Sequence, residues 1–330
     1  MPPKLSVIIP AYNTAKYIEE CVDSVISGTY RDLEVLLVDD GSTDGTGRLC
    51  DRLAEKYSSI RVFHTNNRGL SEARNLGIEH ATGQYIGFVD SDDVVAPNMF
   101  QTMVRYLTSD VQLVVCRYLR YQEDDVKLIG KQANSINVVN QAGAMERLIQ
   151  NEYGPFVWNK LFSKKILDTK HIRFPKDRRI CEDLFFTWEY IKHCKKAVFI
   201  EDSLYFYIMH NGSIMNTFRQ SRTVDRRYVD LPRGWRYCAE TVEEFSPELM
   251  NIPKARAAMF YQTVLRKLEN PEIEYIEEAI TYVKQNKAAL CRYRWGWKYY
   301  LSAIVLCMSY SCWAEIFRKP LRLVNREEIK

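Results

Sequence analysis

The sequence predicts an α/β protein: a doubly wound, mostly parallel sheet with flanking helices, continued by a helical C-terminal extension. Three observations carry that expectation. Short apolar, β-branched runs alternate with stretches at helical spacing from Leu5 to Cys116, the pattern of a sheet built from strand–helix–strand units. Two of the runs stop abruptly in acids, Asp39-Asp40 and Asp90-Ser91-Asp92-Asp93, and open sheets of this kind hold their ligands beyond the strand C-termini. In residues 221–290 only helical spacing remains. With 330 residues, 46% of them hydrophobic, the chain can bury a large core and still carry an extension.

The first strand is expected over residues 5–10, a buried β-branched run. Tyr17, Ile18, Cys21, Val22, Val25 and Ile26 then recur at helical spacing across residues 14–26. Residues 33–38 read as the second strand, 46–57 as a helix, 60–63 as the third strand and 70–80 as another helix. Tyr85 to Val89 is a continuous apolar run, as in a strand buried on both faces. A helix starts near Pro97, and residues 111–116 make one more strand. Further on, an apolar helix is expected from Leu184 to Cys194.

Composition narrows the function. A net charge of +4 is too small for a protein whose main partner is nucleic acid. Its distribution says more: residues 291–330 hold eight Lys or Arg against three Glu, so the rest of the chain is close to neutral. Nine scattered cysteines without a Cys-x-x-Cys pair suit reduced thiols in a cytoplasmic protein. The N-terminus does not read as a signal peptide, and no uncharged apolar stretch reaches the roughly 20 residues of a spanning helix. The first strand–helix turn, Pro10-Ala11-Tyr12-Asn13-Thr14, has no G-x-G-x-x-G, and the glycines from Gly41 to Gly47 follow the second strand at the wrong spacing. Those facts argue against a dinucleotide-dependent dehydrogenase, and no Walker sequence is present.

Three carboxylates within residues 90–93 repel one another. A hard cation would resolve that repulsion, since Mg²⁺ or Mn²⁺ takes oxygen ligands from one or two carboxylates plus substrate phosphates. The other reading is an acidic turn that caps the helix near Pro97, for Asp is a good N-cap. At Asp39-Asp40-Gly41 a ligand-facing acid pair competes in the same way with simple turn chemistry.

Four segments, in this order, resemble the family 2 glycosyltransferases: Ser6-Val-Ile-Ile-Pro-Ala-Tyr-Asn13, Leu37-Val-Asp-Asp-Gly-Ser-Thr-Asp44, Asn67-Arg-Gly-Leu-Ser-Glu-Ala-Arg-Asn-Leu-Gly77 and Phe88-Val-Asp-Ser-Asp-Asp93. Weaker similarity continues through Trp158-Asn-Lys-Leu-Phe162, Cys181-Glu-Asp-Leu-Phe-Phe186 and Leu204-Tyr-Phe-Tyr to Gly212-Ser-Ile214. The resemblance implies a GT-A domain over residues 1–215, with a nucleotide-sugar half to about residue 110 and an acceptor half beyond it, then a helical region over 216–330. It implies an inverting, metal-dependent transfer of a hexosyl or N-acetylhexosaminyl group. The donor would be a nucleotide sugar, a UDP-sugar, and the acceptor a growing glycan such as lipopolysaccharide, capsule or exopolysaccharide.

The resemblance also implies roles for residues. Pro10, Ala11, Tyr12 and Asp40 would line the nucleobase pocket, with Arg74 and Asn75 over the nucleotide. Asp90 would lie near ribose and metal, Asp92 would ligate Mg²⁺ or Mn²⁺, and Asp183 would be the catalytic base. His210 stands where related enzymes carry a basic residue near the diphosphate, although Arg is usual there. The chemistry agrees: inversion passes through an oxocarbenium-like transition state, which needs a base on the acceptor side and charge neutralisation on the diphosphate. From the residues alone Glu182-Asp183 is equally an acidic first turn of a helix, His210 a loop histidine, and Trp158 a core aromatic. Trp158, Asn159, Lys160 and Glu182 are the acceptor-side candidates.

Two other classes compete. Sugar-1-phosphate nucleotidyltransferases share such a sheet but open with a glycine-rich basic loop, which Pro10 to Thr14 is not. A non-catalytic nucleotide-sugar-binding module is expected to have lost some acids, and Asp40, Asp90, Asp92 and Asp183 are all present. The second half is expected to be helical over 223–237, 253–268 and 272–285. Then Arg292-Tyr-Arg-Trp-Gly-Trp-Lys298 precedes sixteen uncharged residues, Tyr299 to Ala314, with Arg318, Lys319 and Arg322 behind them. Residues 291–322 thus read either as a membrane-associating tail on a peripheral protein at the inner face of the cell membrane, or as a buried C-terminal helix.

Overall fold

Strand β1 (Leu5–Ala11) is buried along its whole length, as expected of a parallel strand covered on both faces. It pairs in parallel with β2 (Leu33–Asp39) on one side and β4 (Tyr85–Phe88) on the other, and β2 pairs in parallel with β3 (Ile60–His64). Helices α1 (Ile18–Ile26), α2 (Thr46–Lys56) and α3 (Leu70–His80) make the crossovers. Register aligns the strand ends: Ala11 lies opposite Asp39, and Ile8 opposite Phe88. Tyr12, Asp40 and Asp90 therefore emerge along one sheet edge. Helix α1 starts later than its spacing suggests, because Thr14 is tied elsewhere. Its N–H donates to Thr46 Oγ1 at 2.9 Å, and its carbonyl accepts from the N–H groups of Tyr17 and Ile18.

The computed structural model describes residues 4–122, 133, 135–150, 153–178, 180–210, 218, 221–292, 297–314 and 316–317. The Gly212-Ser-Ile214 segment, Tyr293 to Gly296, and Arg318, Lys319 and Arg322 lie outside them. The chain divides into two compact units, Met1–His210 and Asn211–Lys330.

The rest of the first unit adds β5 (Val94–Val95), α4 (Met99–Val104), β6 (Val111–Gln122), β7 (Ile136–Asn140), α5 (Gln141–Ile149), β8 (Lys160–Ser163), α6 (Lys164–Thr169), α7 (Glu182–Ile191) and β9 (Lys196–Met209). Among the described residues these strands form one nine-stranded sheet, ordered β3-β2-β1-β4-β8-β6-β9-β5, with β7 paired to β9. β8 runs antiparallel to both β4 and β6, which makes the sheet mixed. Strand β6 continues six residues past the expected end at Cys116 because a register shift there lets Arg117 pair with Ser203 and break the apolar run. β9 hides from the sequence for a related reason: Glu201 and Asp202 interrupt its apolar pattern.

In the second unit a 3₁₀ turn (Arg226–Val229) leads into α8 (Asp230–Phe245), followed by α9 (Asn251–Lys267), α10 (Ile273–Arg292) and α11 (Trp297–Met308). Helix α8 begins well after residue 223. Its Pro232 then falls in the first turn, where no intrahelical N–H is needed. Three helices meet at Glu278 of α10. Arg233 of α8 grips both of its oxygens, Nη2 at 2.6 Å, and the Tyr261 hydroxyl of α9 donates at 2.6 Å. No helix among the described residues is long and apolar enough to cross a membrane.

Candidate active site

The site begins with the loops that follow β1 and β2. Asn13 takes a left-handed conformation, φ 53°, and so turns its side-chain oxygen to accept from Thr43 N–H at 2.8 Å while its own N–H donates to Ser42 Oγ. Asp44 accepts from Ala15 N–H and from both the N–H and hydroxyl of Thr46. The two loops are thus stitched together beside Tyr12, whose ring is exposed. Pro10 and Ala11 are buried in the edge behind it.

Asp40 is buried and richly bonded. Its Oδ1 accepts from the Thr65 hydroxyl and from Arg68 N–H at 2.7 Å, and its Oδ2 from Gly69 N–H at 2.6 Å. Asp39 accepts from Ser42 N–H and pairs with His64, which also reaches Asp51. These carboxylates raise the affinity of His64 for its proton, Asp39 most.

The second acid cluster is arranged differently. Asp93 is buried and accepts from the Tyr205 hydroxyl at 2.6 Å and Ile208 N–H at 2.8 Å. The same hydroxyl accepts from Asp90 N–H at 3.2 Å, so Tyr205 fixes the turn from inside. Burial and the neighbouring charges of Asp92 and Asp90 push the Asp93 carboxyl well above its ordinary range. Asp90 and Asp92 keep partly exposed side chains, 27% and 30%. Asp90 Oδ1 pairs with Arg74 at 2.8 Å and Asp92 Oδ2 with His210 Nε2 at 2.5 Å. The His210 ring stacks on Tyr17, with centroids 5.3 Å apart. Among the described residues no protein donor meets the second oxygen of either acid, and no three His, Cys, Asp or Glu side chains converge as a metal cage. Two carboxylates, each with one open oxygen, match what Mg²⁺ or Mn²⁺ takes from a protein when phosphates and water complete the shell.

Arg74 joins this cluster to α7. It is buried, with Nη2 on Asp90 and Nη1 on Glu182 Oε1 at 2.6 Å, and its guanidinium lies 5.2 Å from the Phe174 ring centroid. Burial opposes its charge, but Asp90, Glu182 and Asp183 outweigh that and hold it protonated. Asn75 makes a two-way bridge to the Phe174 backbone, at 2.9 and 2.8 Å. Both side chains face protein partners 99 and 108 residues away in the chain.

Helix α7 opens on Cys181 in a left-handed conformation, φ 61°, which swings Glu182 and Asp183 into the first turn, where the helix dipole favours negative charge. Burial first, and then the charge of Glu182, raise the Asp183 carboxyl to about 7. Such a carboxylate is a competent base near neutral pH.

Lys160 lies behind Asp183. Its Nζ donates to Gly154 O at 2.9 Å, Phe156 O at 2.5 Å and Asn159 Oδ1 at 2.9 Å. Burial pulls this ammonium down to about 7, yet three acceptors around one nitrogen demand three donor hydrogens, so we assign the charged form. Asn159 donates in turn to Cys116 O and Tyr153 O. Trp158 is buried between Phe156 and Tyr205, at 4.7 and 4.3 Å between centroids. The Thr187 hydroxyl ties Pro155 of this loop to α7. Neither Tyr205 nor Asp93 stood out from the sequence as a site residue. Asp93 had a signal as the last acid of its motif, while Tyr205 is one aromatic in a run of them.

Residues 6–170 match the family described as glycosyl transferase family 2, and the chain belongs to it. It is 35% identical over 224 residues to the glycosyltransferase GlyG of Streptococcus pneumoniae, an alignment that covers 64% of this chain and 73% of that one. Its fold is similar to that of S. aureus TarS 1–349, solved in complex with UDP-GlcNAc: TM-score 0.65 at 20% identity, over 93% of this chain and 91% of TarS. It is also similar to the mannosyltransferase PcManGT from Pyrobaculum calidifontis, solved with GDP-Man and Mn²⁺: TM-score 0.52 at 20% identity, over 93% and 88% of the two chains. The mixed sheet with flanking helices is a GT-A fold.

Proposed function

We propose that the chain transfers a sugar, with inversion, from a UDP-sugar to a growing surface glycan, carried on lipid, at the inner face of the cell membrane. The observation that carries this is the Arg74 bridge. One buried guanidinium holds Asp90, at the sheet edge, and Glu182, beside Asp183 on α7. A donor-side acid and an acceptor-side base are then fixed relative to each other, as a displacement at one carbon requires.

On the donor side Pro10, Ala11 and Tyr12 line the nucleobase pocket. Asp40 has lone pairs left on Oδ2 for a base imide. Asp90 and Asp92 would hold Mg²⁺ or Mn²⁺, which when bound supplies charge neutralisation at the diphosphate. His210 lies beside Asp92 and would add positive charge there when protonated. Arg74 and Asn75 act on the nucleotide through Asp90 and the Phe174 backbone that they position. On the acceptor side Asp183 takes the proton of the attacking hydroxyl. Glu182 holds Arg74, and Lys160 and Asn159 brace the loop that carries Phe156 and Trp158. UDP-bound and GDP-sugar-bound neighbours support a nucleotide-sugar donor.

Calorimetry with UDP and Mn²⁺ tests this. Asp92→Ala should lose the Mn²⁺-dependent part of UDP binding, at least about tenfold in affinity, with an unchanged melting temperature. Equal affinity in the variant would remove Asp92 from the metal site. A screen of nucleotide sugars for donor hydrolysis then identifies the sugar.

A further inference from the structure

Helix α11 is apolar on its outer face as well as on its inner one. Its Ser302, Ala303 and Leu306 are buried, and it packs against α9 and α10. Tyr299 sits 3.4 Å from the Thr263 hydroxyl of α9. Beyond the helix Trp313 is buried too, and its indole N–H donates to Ser302 Oγ at 2.8 Å. The inner face is therefore already filled. Yet the outer face carries Leu301, 56% exposed, Ile304, 36%, and Met308, 82%, with Ile316 at 58% further along. Positions 301, 304 and 308 fall on one side of a helix. Cys312 is exposed as well, and no charge occurs from Tyr299 to Ala314. A surface helix normally turns its charged side outward. A contiguous exposed apolar stripe of this kind marks an interaction surface.

We infer that this outer face of α11 docks the protein on an anionic lipid surface. Charge selects the occupant. The stripe itself is neutral, while residues 291–330 carry a surplus of five positive charges, with Lys298 at the start of the helix. Two copies joined through this face would bring the exposed Lys298 of each copy, three residues before Leu301, toward the other. A leaflet of anionic lipid instead takes the apolar side chains into the headgroup boundary and attracts the cations. The helix is too short to span, so it lies in the interface. The inference rests on the membrane part of the proposed function and makes it specific. It does not depend on the sugar chemistry.

The test uses the full-length chain and no sugar donor. Wild type should co-sediment with vesicles of phosphatidylcholine and phosphatidylglycerol, less with phosphatidylcholine alone, and less at high salt. Leu301→Glu combined with Met308→Glu should cut that binding at least about tenfold. Both positions are exposed, so melting should be unchanged. If it is not, Leu301→Ser with Met308→Ser makes the same prediction without added charge. No binding by wild type, or equal binding by the variants, overturns the inference. So does a concentration-dependent dimer in sedimentation velocity that the substitutions dissociate, without vesicle binding, because the occupant is then a second copy. UDP binding is measured separately, so loss of docking leaves the transfer reading standing, and the reverse.

Discussion

Two acid clusters flank β1 and look alike in the sequence, but they are built for different ends. Asp39-Asp40 follows β2 and is tightly held: Asp40 alone takes three protein donors, two on Oδ1 and one on Oδ2. Asp90-Asp92 follows β4 and is only half satisfied: one oxygen of each acid is met, by Arg74 or by His210, and among the described residues no protein donor meets the other. A carboxylate held by three protein donors organises the loop around it, even with a lone pair left on one oxygen. One with an open oxygen can still take a ligand. The comparison teaches that an acid motif at a sheet edge does not announce its job. What surrounds it decides, and here the surroundings come from far along the chain: Arg74, Glu182, Tyr205 and His210.

The largest effect expected lies across the crevice from the open cluster. Asp183→Asn keeps size and hydrogen-bonding capacity but cannot take a proton. Transfer should slow by about 10²–10⁴-fold, with donor affinity unchanged. The measurement is transfer rate and UDP-sugar affinity in the same protein. A drop below about tenfold would move the base elsewhere, Glu182 first.

The difference between the clusters is itself measurable as stability. Asp40→Asn places an amide NH₂ among the Thr65, Arg68 and Gly69 donors and leaves at least one of them unmatched, which costs about 1–3 kcal/mol. Asp92→Asn can keep its contact with His210 and should stay within about 0.5 kcal/mol of wild type. Urea unfolding of both variants decides. If they lose equal stability, the second cluster is as structural as the first.

Much of this was legible beforehand. The boundaries of α3 and the start of α2 agree with the spacing to the residue, and the parallel strand–helix alternation through β4 follows from the apolar runs. There β1, β2 and β4 are parallel and almost wholly buried, so their apolar runs are long, while β3 is partly exposed. Beyond Cys116 the sheet turns mixed. The four-residue β8 and the bulged pairing of β6 with β9 lack a clean period, and neither was foreseen. In the site, each acid could be named from its motif. What could not be seen is that Arg74 turns inward to Asp90 and Glu182, because that pairing spans 108 residues and no local pattern encodes it. Trp158, readable as a core aromatic or as part of the acceptor pocket, is core, stacked between Phe156 and Tyr205.

The smallest effect is the pH dependence of the reaction, and its sign separates catalysis from stability. Burial raises the Asp183 carboxyl to about 7, the Glu182 charge adds to this, and Arg74 and Leu184 N–H oppose it. A base works only when deprotonated, so transfer should fall about tenfold between pH 8 and pH 6. Stability should move the other way. The folded-state value lies above that of an unfolded carboxylate, so proton uptake by Asp183 favours the folded chain as pH drops from about 7 toward the ordinary carboxylate range. Activity lost in that window would therefore not be unfolding, and it should return fully when the pH is restored. In Asp183→Asn the residual rate should be flat over the same range. A step near 7 that persists in the variant would assign the titration to another group, and Lys160, buried behind the same helix turn, is the one to change next.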